Sequence, residues 1–510
     1  MTQNIKYIFR SRREVTEELL NDCARLFAEH YGRWGKCGHN PGAPISLSAS
    51  HLRKLVDREG GFACLAFESE RLLGYAFGMH VPGEHGLTSW VTQLVVDTKY
   101  QNKKIASTLL GGVWAFSDNF AWGLVSANPF AIRALEAATR RRCDRALIKE
   151  RLPTVRSIVS SAADYLADAD LIVDNTQCVG NTGFFLDHSN VAAMLKDASA
   201  TFPWQLGDLN EGEEWLGVTF ASQQPRPLSF EEFERLRAAA SETVARAFDR
   251  MAIGALEGNH VWTKHTQHET NFLTHHLALS AGCRVLDLGC GSGRHSAELA
   301  AAGMIVTAVD RSSNWLEAAK RLAKSRSVDI NFVLDDIRTL DLGTHFDAVL
   351  CLYDVVGSFP DDADNGAIIA TLAKHLRTGG RFAISTMNRC VSEKIAEYEA
   401  DVPRLPSAIT KVEASTDMEK TGNIWDPKSM LVDRTTGLVY RRERFKAGDE
   451  LPVEMIVTDR RYYPKELQTW CEREGLEVDC VNPVALGKWD EALDSEDIKA
   501  KEILCIGSRR

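Results

Sequence analysis

The chain has 510 residues, enough for two to four domains of ordinary size. Apolar residues make up 44% and charged residues 25%, a balance that excludes disorder over the whole length. The formal net charge of −10 argues against a general DNA- or RNA-binding surface, and no run approaches the ~18–20 uncharged apolar residues of a membrane span.

Met1 to Arg13 is polar and basic without a hydrophobic stretch, so no signal peptide is expected. Phe62 to Phe67 and Leu72 to Gly78 read as a hairpin, followed by a β-run over Val91-Thr92-Gln93-Leu94-Val95-Val96-Asp97. Then come the loop Tyr100-Gln101-Asn102-Lys103-Lys104-Ile105-Ala106 and a helix from Ser107 to Phe116. A strand opening into a loop whose N–H groups face a helix start makes a pyrophosphate cradle. Trp122 to Ser126 is the next strand, leading through Ala127-Asn128-Pro129 into a helix from Ala131 to Thr139. Together these residues resemble the GNAT family of N-acetyltransferases, whose loop pattern is [QR]-x-x-G-x-[GA]. Gln101 and Ala106 match the pattern, and Lys104 stands where the glycine is expected. The resemblance implies a mixed, mainly antiparallel sheet with helices. It also implies acyl-CoA contacts from Leu94, Val95, Val96, Gln101, Asn102, Lys103, Lys104, Ile105, Ala106 and Asn128, with the Leu94–Val96 amides on the thioester oxyanion. No general base stands out: Gln93 cannot take a proton, and Glu84, His85 and Tyr100 are the alternatives.

Trp215 to Phe220 reads as a last strand before Gln223-Gln224-Pro225-Arg226-Pro227. Ser229 and Glu232 then form a capping box ahead of a helix through Phe233, Leu236, Ala240, Val244 and Phe248. The expected division is residues 1–222, a linker at 223–229, and residues 230–510. Further on, His265, His268 and Glu269 face one way on a helix and look like metal ligands at first sight. The alternatives are a lid contact or ordinary surface and core histidines, and no metal is expected.

Residues 284–293 form a strand, a glycine turn and the start of a helix from Ser296 to Ala302, and the strand Ile305 to Val309 ends in Asp310. Val285-Leu286-Asp287-Leu288-Gly289-Cys290-Gly291-Ser292-Gly293 resembles the first motif of class I S-adenosylmethionine (SAM) methyltransferases. Asp310, Asp335-Asp336-Ile337, Phe346 to Tyr353 and Leu376 to Phe382 follow in that family's order, the last as helix end, turn and fifth strand. The resemblance implies a Rossmann-like fold and SAM contacts from Asp287, Gly289, Cys290, Gly291, Gly293, Asp310, Arg311, Asp336, Ile337 and Leu352. Tyr353, Asp354, Asn388 and His265 are the candidate catalytic residues. Met430 to Asp433, Leu438 to Phe445 and Glu454 to Tyr463 read as strands of a β insertion at about 418–463, similar to the acceptor lid of small-molecule methyltransferases.

The expected fold is thus α/β in two domains: GNAT, then Rossmann-like methyltransferase with a β lid. The expected activity is bifunctional: SAM-dependent N- or O-methylation joined to N-acylation from acetyl-CoA or another acyl-CoA, on a small-molecule acceptor. The layout resembles two-domain tailoring enzymes of specialised metabolism and antibiotic biosynthesis, including the type that makes thiohydroxamate copper chelators. One alternative makes the first half a non-catalytic binding or dimerisation module, and another makes the chain a protein or tRNA modifier. Twelve cysteines without a C-x-x-C pair fit a reducing cytoplasm. Neither nucleic acid nor membrane is expected as a partner, and a homodimer is left open.

Overall fold

Phe62 to Phe67 is apolar without interruption because its strand is buried on both faces. Ala63 and Leu65 join one core with Leu20, Phe27, Leu52 and Val56, while Phe62, Cys64 and Ala66 join another with Leu109, Ile132 and Leu135. The computed structural model describes residues 5–114, 119–162, 164–239, 248–249, 251, 260–445 and 453–510. The chain divides into two compact units, Met1–Thr243 with Lys446–Met455, and Val244–Phe445 with Ile456–Arg510. The helical residues after Ser229 therefore belong with the first unit, where the sequence pattern had put them in the second. Ser229 and Glu232 do form the reciprocal capping box, with Glu232 N donating to Ser229 Oγ at 3.2 Å and Ser229 N to Glu232 Oε2 at 3.1 Å. Leu236 fills the space that a side chain at Gly111 would need. The continuation through Ala240 and Val244 lies outside the described residues.

The first unit is built on β1 (Ile5–Ser11), β2 (Gly61–Glu68), β3 (Arg71–Gly83), β4 (Gly86–Val96), β5 (Ala121–Ser126), β6 (Asp170–Val173), β7 (Cys178–Asn181) and β8 (Glu213–Phe220). They form one sheet in the order β1-β2-β3-β4-β5-β8-β7-β6. All pairings given for it are antiparallel except β4 with β5. That parallel pairing runs from Thr88↔Ala121 to Val91↔Leu124 and stops, although β4 continues to Val96 and β5 to Ser126. A register shift against β3 leaves Thr92 as the extra residue at this point. The helix Ile105–Trp114 follows the loop after β4.

The second unit alternates strands and helices: β9 (Arg284–Leu288), β10 (Ile305–Asp310), β11 (Asn331–Leu334), β12 (Phe346–Cys351) and β13 (Leu376–Met387) run parallel in the order β11-β10-β9-β12-β13. Leu286 and Leu288 feed one core and Val285 the other, so these strands too read as continuous apolar runs. A second small sheet joins β14 (Tyr398–Glu399), β15 (Met430–Asp433), β16 (Leu438–Phe445) and β17 (Val453–Arg460), so the insertion starts before residue 418. Beyond β13 the main sheet continues through β20 (Glu502–Arg509), β18 (Leu476–Ala485) and β19 (Lys488–Ala492), with β20 antiparallel to both β13 and β18. The helix before β13 ends at His375, so Leu376 to Gly380 is already strand, not helix end and turn. No helix among the described residues is long and apolar enough to cross a membrane.

Candidate active site

Strand order reverses at β9, where β10 lies on one side and β12 on the other, and the crevice at their carboxyl ends is where such sheets take ligands. Gly289, Gly291 and Gly293 all have positive φ (71°, 53° and 69°). A Cβ at Gly289 would sit 2.7 Å from Val355 Cγ2 and one at Gly293 2.8 Å from Ala319 Cβ, so both are excluded by packing. At Gly291 the nearest atom would be 4.0 Å away, on Trp315, so the turn leaves open space there. Gly291 N donates to Asp310 Oδ2 at 2.9 Å and Ser312 N to Asp310 Oδ1 at 2.9 Å. The carboxylate at the end of β10 is thereby held against the glycine turn. Asp287 accepts from Ser296 Oγ at 2.5 Å, and burial raises its pKa to about 6. Asp249 receives hydrogen bonds from Ser312 Oγ and from Asn314 Nδ2, and Trp315 Nε1 donates to Phe248 O at 3.0 Å, so residues 248–249 cover this end of the crevice.

A second constellation sits beside the turn. Glu269 is fully buried and accepts from Arg294 Nη1 at 2.5 Å, from His295 Nε2 at 2.7 Å and from the Tyr353 hydroxyl. Burial raises the Glu269 pKa, but the His295 hydrogen bond and the Arg294 charge outweigh it and hold the carboxyl at about 2. Burial, then Arg294, lowers His295 to about 4 against the pull of Glu269. The ion pair is therefore Arg294–Glu269, and His295 stays neutral with its Nε2–H given to the carboxylate. Tyr353 leaves β12 with φ +60°, a left-handed conformation costly for an aromatic residue, and its amide donates to Ser385 Oγ at 2.5 Å. Trp489 lies 6.2 Å from the His295 ring and 6.3 Å from that of Tyr353, and its Nε1 donates to Glu502 Oε2 at 2.9 Å. Burial, then Glu502, pushes the Tyr353 phenol well up.

Residues 285–380 match the family described as Methyltransferase domain. The ubiquinone biosynthesis O-methyltransferase of Rickettsia akari (strain Hartford) is 32% identical over 192 residues, 34% of this chain and 69% of the relative. The chain belongs to the class I SAM-dependent methyltransferases. Enzymes of the same description from Rickettsia conorii (strain ATCC VR-613 / Malish 7) and Coxiella burnetii (strain Dugway 5J108-111) are each 36% identical, over 23% and 21% of this chain. The chain spans under half of their length, 43% and 45%. Among solved structures, the CcbJ methyltransferase from Streptomyces caelestis covers 48% of this chain and 89% of its own, at 17% identity and TM-score 0.36. The glycopeptide N-methyltransferase MtfA complexed with SAM covers 49% and 96%, at 18% identity and TM-score 0.32. All of these relatives align with less than the whole chain.

In the methyltransferase unit, Tyr353 joins the buried constellation and Asp354 lies next to it. Asn388 is placed elsewhere: its Nδ2 donates to Ser495 O and Ala500 O at 2.9 and 2.7 Å, and its Oδ1 caps the following helix through Cys390 N at 3.0 Å. That amide is spent on backbone and braces β13 against the approach to β20. His265, His268 and Glu269 do not converge. Glu269 is buried in the constellation, His268 pairs with Asp490 at 3.0 Å on the surface, and His265 packs on Gly487. Among the described residues no group of three His, Cys, Asp or Glu side chains is arranged to hold a metal. Asp336 is gripped by Arg338 (Nη2–Oδ2 2.6 Å), while Ile337 and Leu352 are buried apolar side chains. Arg311 lies over the Phe359 ring at 5.4 Å, and Cys290 is half-buried. Sequence reasoning missed Arg294, His295, Trp489 and Glu502. Arg294-His295 directly follows Gly293, so its place at the helix start was the available signal.

In the first unit, Asn102 and Lys104 both take φ +61°, so the loop holds the left-handed turns that glycine would ordinarily supply. Gln101, Asn102, Lys103 and Lys104 are exposed, whereas Ile105 is buried and Ala106 half-buried. Lys104 Nζ reaches Glu231 Oε1 at 2.9 Å and Lys103 Nζ lies 4.4 Å from the centre of the Tyr100 ring. The Tyr100 hydroxyl donates to Glu68 Oε2 at 2.7 Å. Leu94, Val95 and Val96 pair with Ala76, Tyr75 and Gly74 of β3, past the point where the β5 pairing ends. Asn128 caps the next helix through Phe130 N at 2.9 Å, which occupies its side-chain oxygen.

Proposed function

We propose that the methyltransferase unit transfers a methyl group from SAM to the nitrogen or oxygen of a small-molecule acceptor. The observation that carries the reading is the Asp310 carboxylate, held by the Gly291 and Ser312 amides beside the unfilled space at Gly291. A ribose diol fits that carboxylate, and a nucleoside edge fits the space a Cβ would partly fill. When bound, SAM supplies a methyl on a cationic sulfonium, so displacement by an acceptor lone pair needs positioning and exclusion of water more than acid–base chemistry. Gly289, Gly291, Gly293, Asp287, Asp310, Ile337 and Leu352 would form the donor side, with Arg311 and Asp336 at its rim and Cys290 in the turn. Tyr353, fixed by Glu269 and Ser385, would form the wall at which the acceptor is oriented. The sequence relatives are described as O-methyltransferases, so oxygen stands beside nitrogen as the acceptor atom.

For the first unit we infer a GNAT-type acyl-CoA-dependent N-acyltransferase. Support comes from the parting of β4 and β5 after Val91, the extra residue at Thr92, and the left-handed turns at Asn102 and Lys104 before a helix start. The second reading, a non-catalytic module, is favoured by one observation: the Lys104 ammonium at the cradle is held by Glu231. Titration calorimetry of the full chain with SAM and with acetyl-CoA tests both. Micromolar SAM binding is expected, with weaker but measurable acetyl-CoA binding. No heat with SAM overturns the methyl-donor reading, and none with acetyl-CoA moves the first unit to the second reading. Mass spectrometry of a metabolite extract incubated with both donors would then display the acceptor as methyl and acyl mass additions.

A further inference from the structure

In the methyltransferase unit, Asp354 Oδ1, Glu443 Oε2, Arg461 Nε and Glu502 Oε1 are buried without a hydrogen-bond partner among the described residues. A buried polar atom without a partner is costly, the more so when charged, unless a ligand or water meets it. They sort by chemistry into two poles. At one end Arg461, with no exposed surface, spends Nη1 on Ser392 Oγ (2.8 Å) and Nη2 on Ile424 O (3.4 Å), and its guanidinium lies 4.4 Å from the centre of the Trp425 ring. Lys501 Nζ approaches the same ring at 5.5 Å. Arg461 Nη2 also lies 3.7 Å from Asp459 Oδ2, and the Arg461 Nε–H is left as a charged donor close to the Trp425 ring, which suits a carboxylate. At the other end Glu502 gives one oxygen to Trp489 Nε1 and Gly487 N, and the other to nothing described. Asp354 directly follows Tyr353 in the chain, and its carboxyl feels the charges of Asp459, Arg461, Arg441 and Glu502. Arg441 is already committed, to Glu443 Oε1 at 3.0 Å and to Asp459. Four buried carboxyls (Asp354, Glu443, Asp459, Glu502) thus face two buried guanidinium groups (Arg441, Arg461), with the unanswered acid at the Tyr353 end.

We propose that this site binds an amino-acid-like zwitterion as methyl acceptor, its carboxylate on Arg461 Nε beside Trp425 and its ammonium between Asp354 and Glu502, facing Tyr353. The ammonium would give one proton to that carboxyl pair, and the freed lone pair would form the N–CH3 bond as the sulfonium S–CH3 bond breaks and S-adenosylhomocysteine leaves. The proposal rests on reading this unit as a SAM-dependent methyltransferase. A Cβ at Gly357, where φ is +116°, would sit 3.1 Å from Asp354 Oδ1, so the loop passes close to that oxygen only because residue 357 has no side chain.

The test is calorimetry on the full chain saturated with S-adenosylhomocysteine, using three probes of similar length: L-norvaline, 1-aminobutane and pentanoate. Norvaline is expected to bind at least tenfold more tightly than either singly charged probe. Arg461→Gln should weaken norvaline and pentanoate at least tenfold and leave 1-aminobutane unchanged, whereas Glu502→Gln should weaken norvaline and 1-aminobutane and leave pentanoate unchanged. Equal affinity for the three probes, absence of norvaline binding, or equal losses for all probes in both variants would overturn the proposal. Where a variant does not fold, the ranking on the unaltered protein decides alone. The titration that loads S-adenosylhomocysteine separates the two readings: no binding there sinks the methyl-donor reading, and tight binding with a flat probe ranking sinks only the zwitterion.

Discussion

Glu269 is a buried carboxylate on which three hydrogen bonds converge, from Arg294, His295 and Tyr353. Replacing it with glutamine keeps its shape but leaves Arg294, nine-tenths buried at its side chain, without a counter-charge. Removing one partner of a buried pair costs about 3–5 kcal/mol. Glu269→Gln should therefore lower unfolding free energy of the second unit by that order in urea titrations. Methyl transfer should fall with it, because the single amide oxygen of glutamine can accept from the Tyr353 hydroxyl or from Arg294 and His295, not from both sides. A loss under about 1 kcal/mol would show that Arg294 reaches solvent. The glycine turn gives a sharper contrast. Gly291→Ala meets nothing nearer than Trp315 at 4.0 Å and should cost only the roughly 1–2 kcal/mol of a left-handed alanine. SAM binding should fall at least tenfold, since the methyl enters the space assigned to the donor. Gly289→Ala adds a clash with Val355 and should destabilise by more than Gly291→Ala in the same denaturation series.

At the scale of elements, the loop before the helix Ile105–Trp114 has kept the backbone turn of a phosphate cradle while changing its chemistry. Lys104 adopts the glycine conformation, and its ammonium is drawn to Glu231. Glu231→Gln is expected to free that ammonium and tighten acetyl-CoA binding several-fold, and Lys104→Ala to weaken it, both by calorimetry. The opposite order would mean that the lysine obstructs the phosphates. The strand–turn–helix units were legible because their signals are local: Val285 to Gly293, Asp310 two strands' reach away, and the capping box at Ser229. The buried constellation was not legible, because Glu269, His295, Trp489 and Glu502 come from four separate elements. Asn388 shows the converse. An asparagine at a strand exit reads as a site residue, yet its amide is absorbed by two carbonyls that only the tertiary fold brings near. The boundary was misplaced for a similar reason. The prolines at 225 and 227 punctuate the chain, yet Leu236 of the next helix packs where a side chain at Gly111 would stand.

Across the whole molecule, buried titratable groups set opposing pH limbs. His80 in the first unit and His295 in the second are both lowered by burial to about 4. An unfolded histidine takes up a proton near 6.5, so their contribution is present above that pH and is lost as pH falls from 6.5 to 4. Glu214, Glu443 and Glu502 are raised by burial to about 7. Between about 4.5 and 7 the folded state holds protons that the unfolded chain has released, so stability from these groups falls as pH rises. His295→Gln should flatten the acid limb and Glu502→Gln the opposite one, in melting temperatures recorded from pH 4 to 8. Identical profiles for both variants and the parent would show that neither group is buried in solution.

The position of β20 carries a consequence for synthesis. It lies between β13 and β18, yet follows β18 and β19 in the chain. A ribosome that has delivered everything up to β19 leaves a nascent sheet with a gap at its middle, two unpaired edges facing each other and the Glu502 carboxyl still to come. Chaperone demand and aggregation should therefore peak at that stage of translation and end abruptly once residues 502–509 clear the exit tunnel.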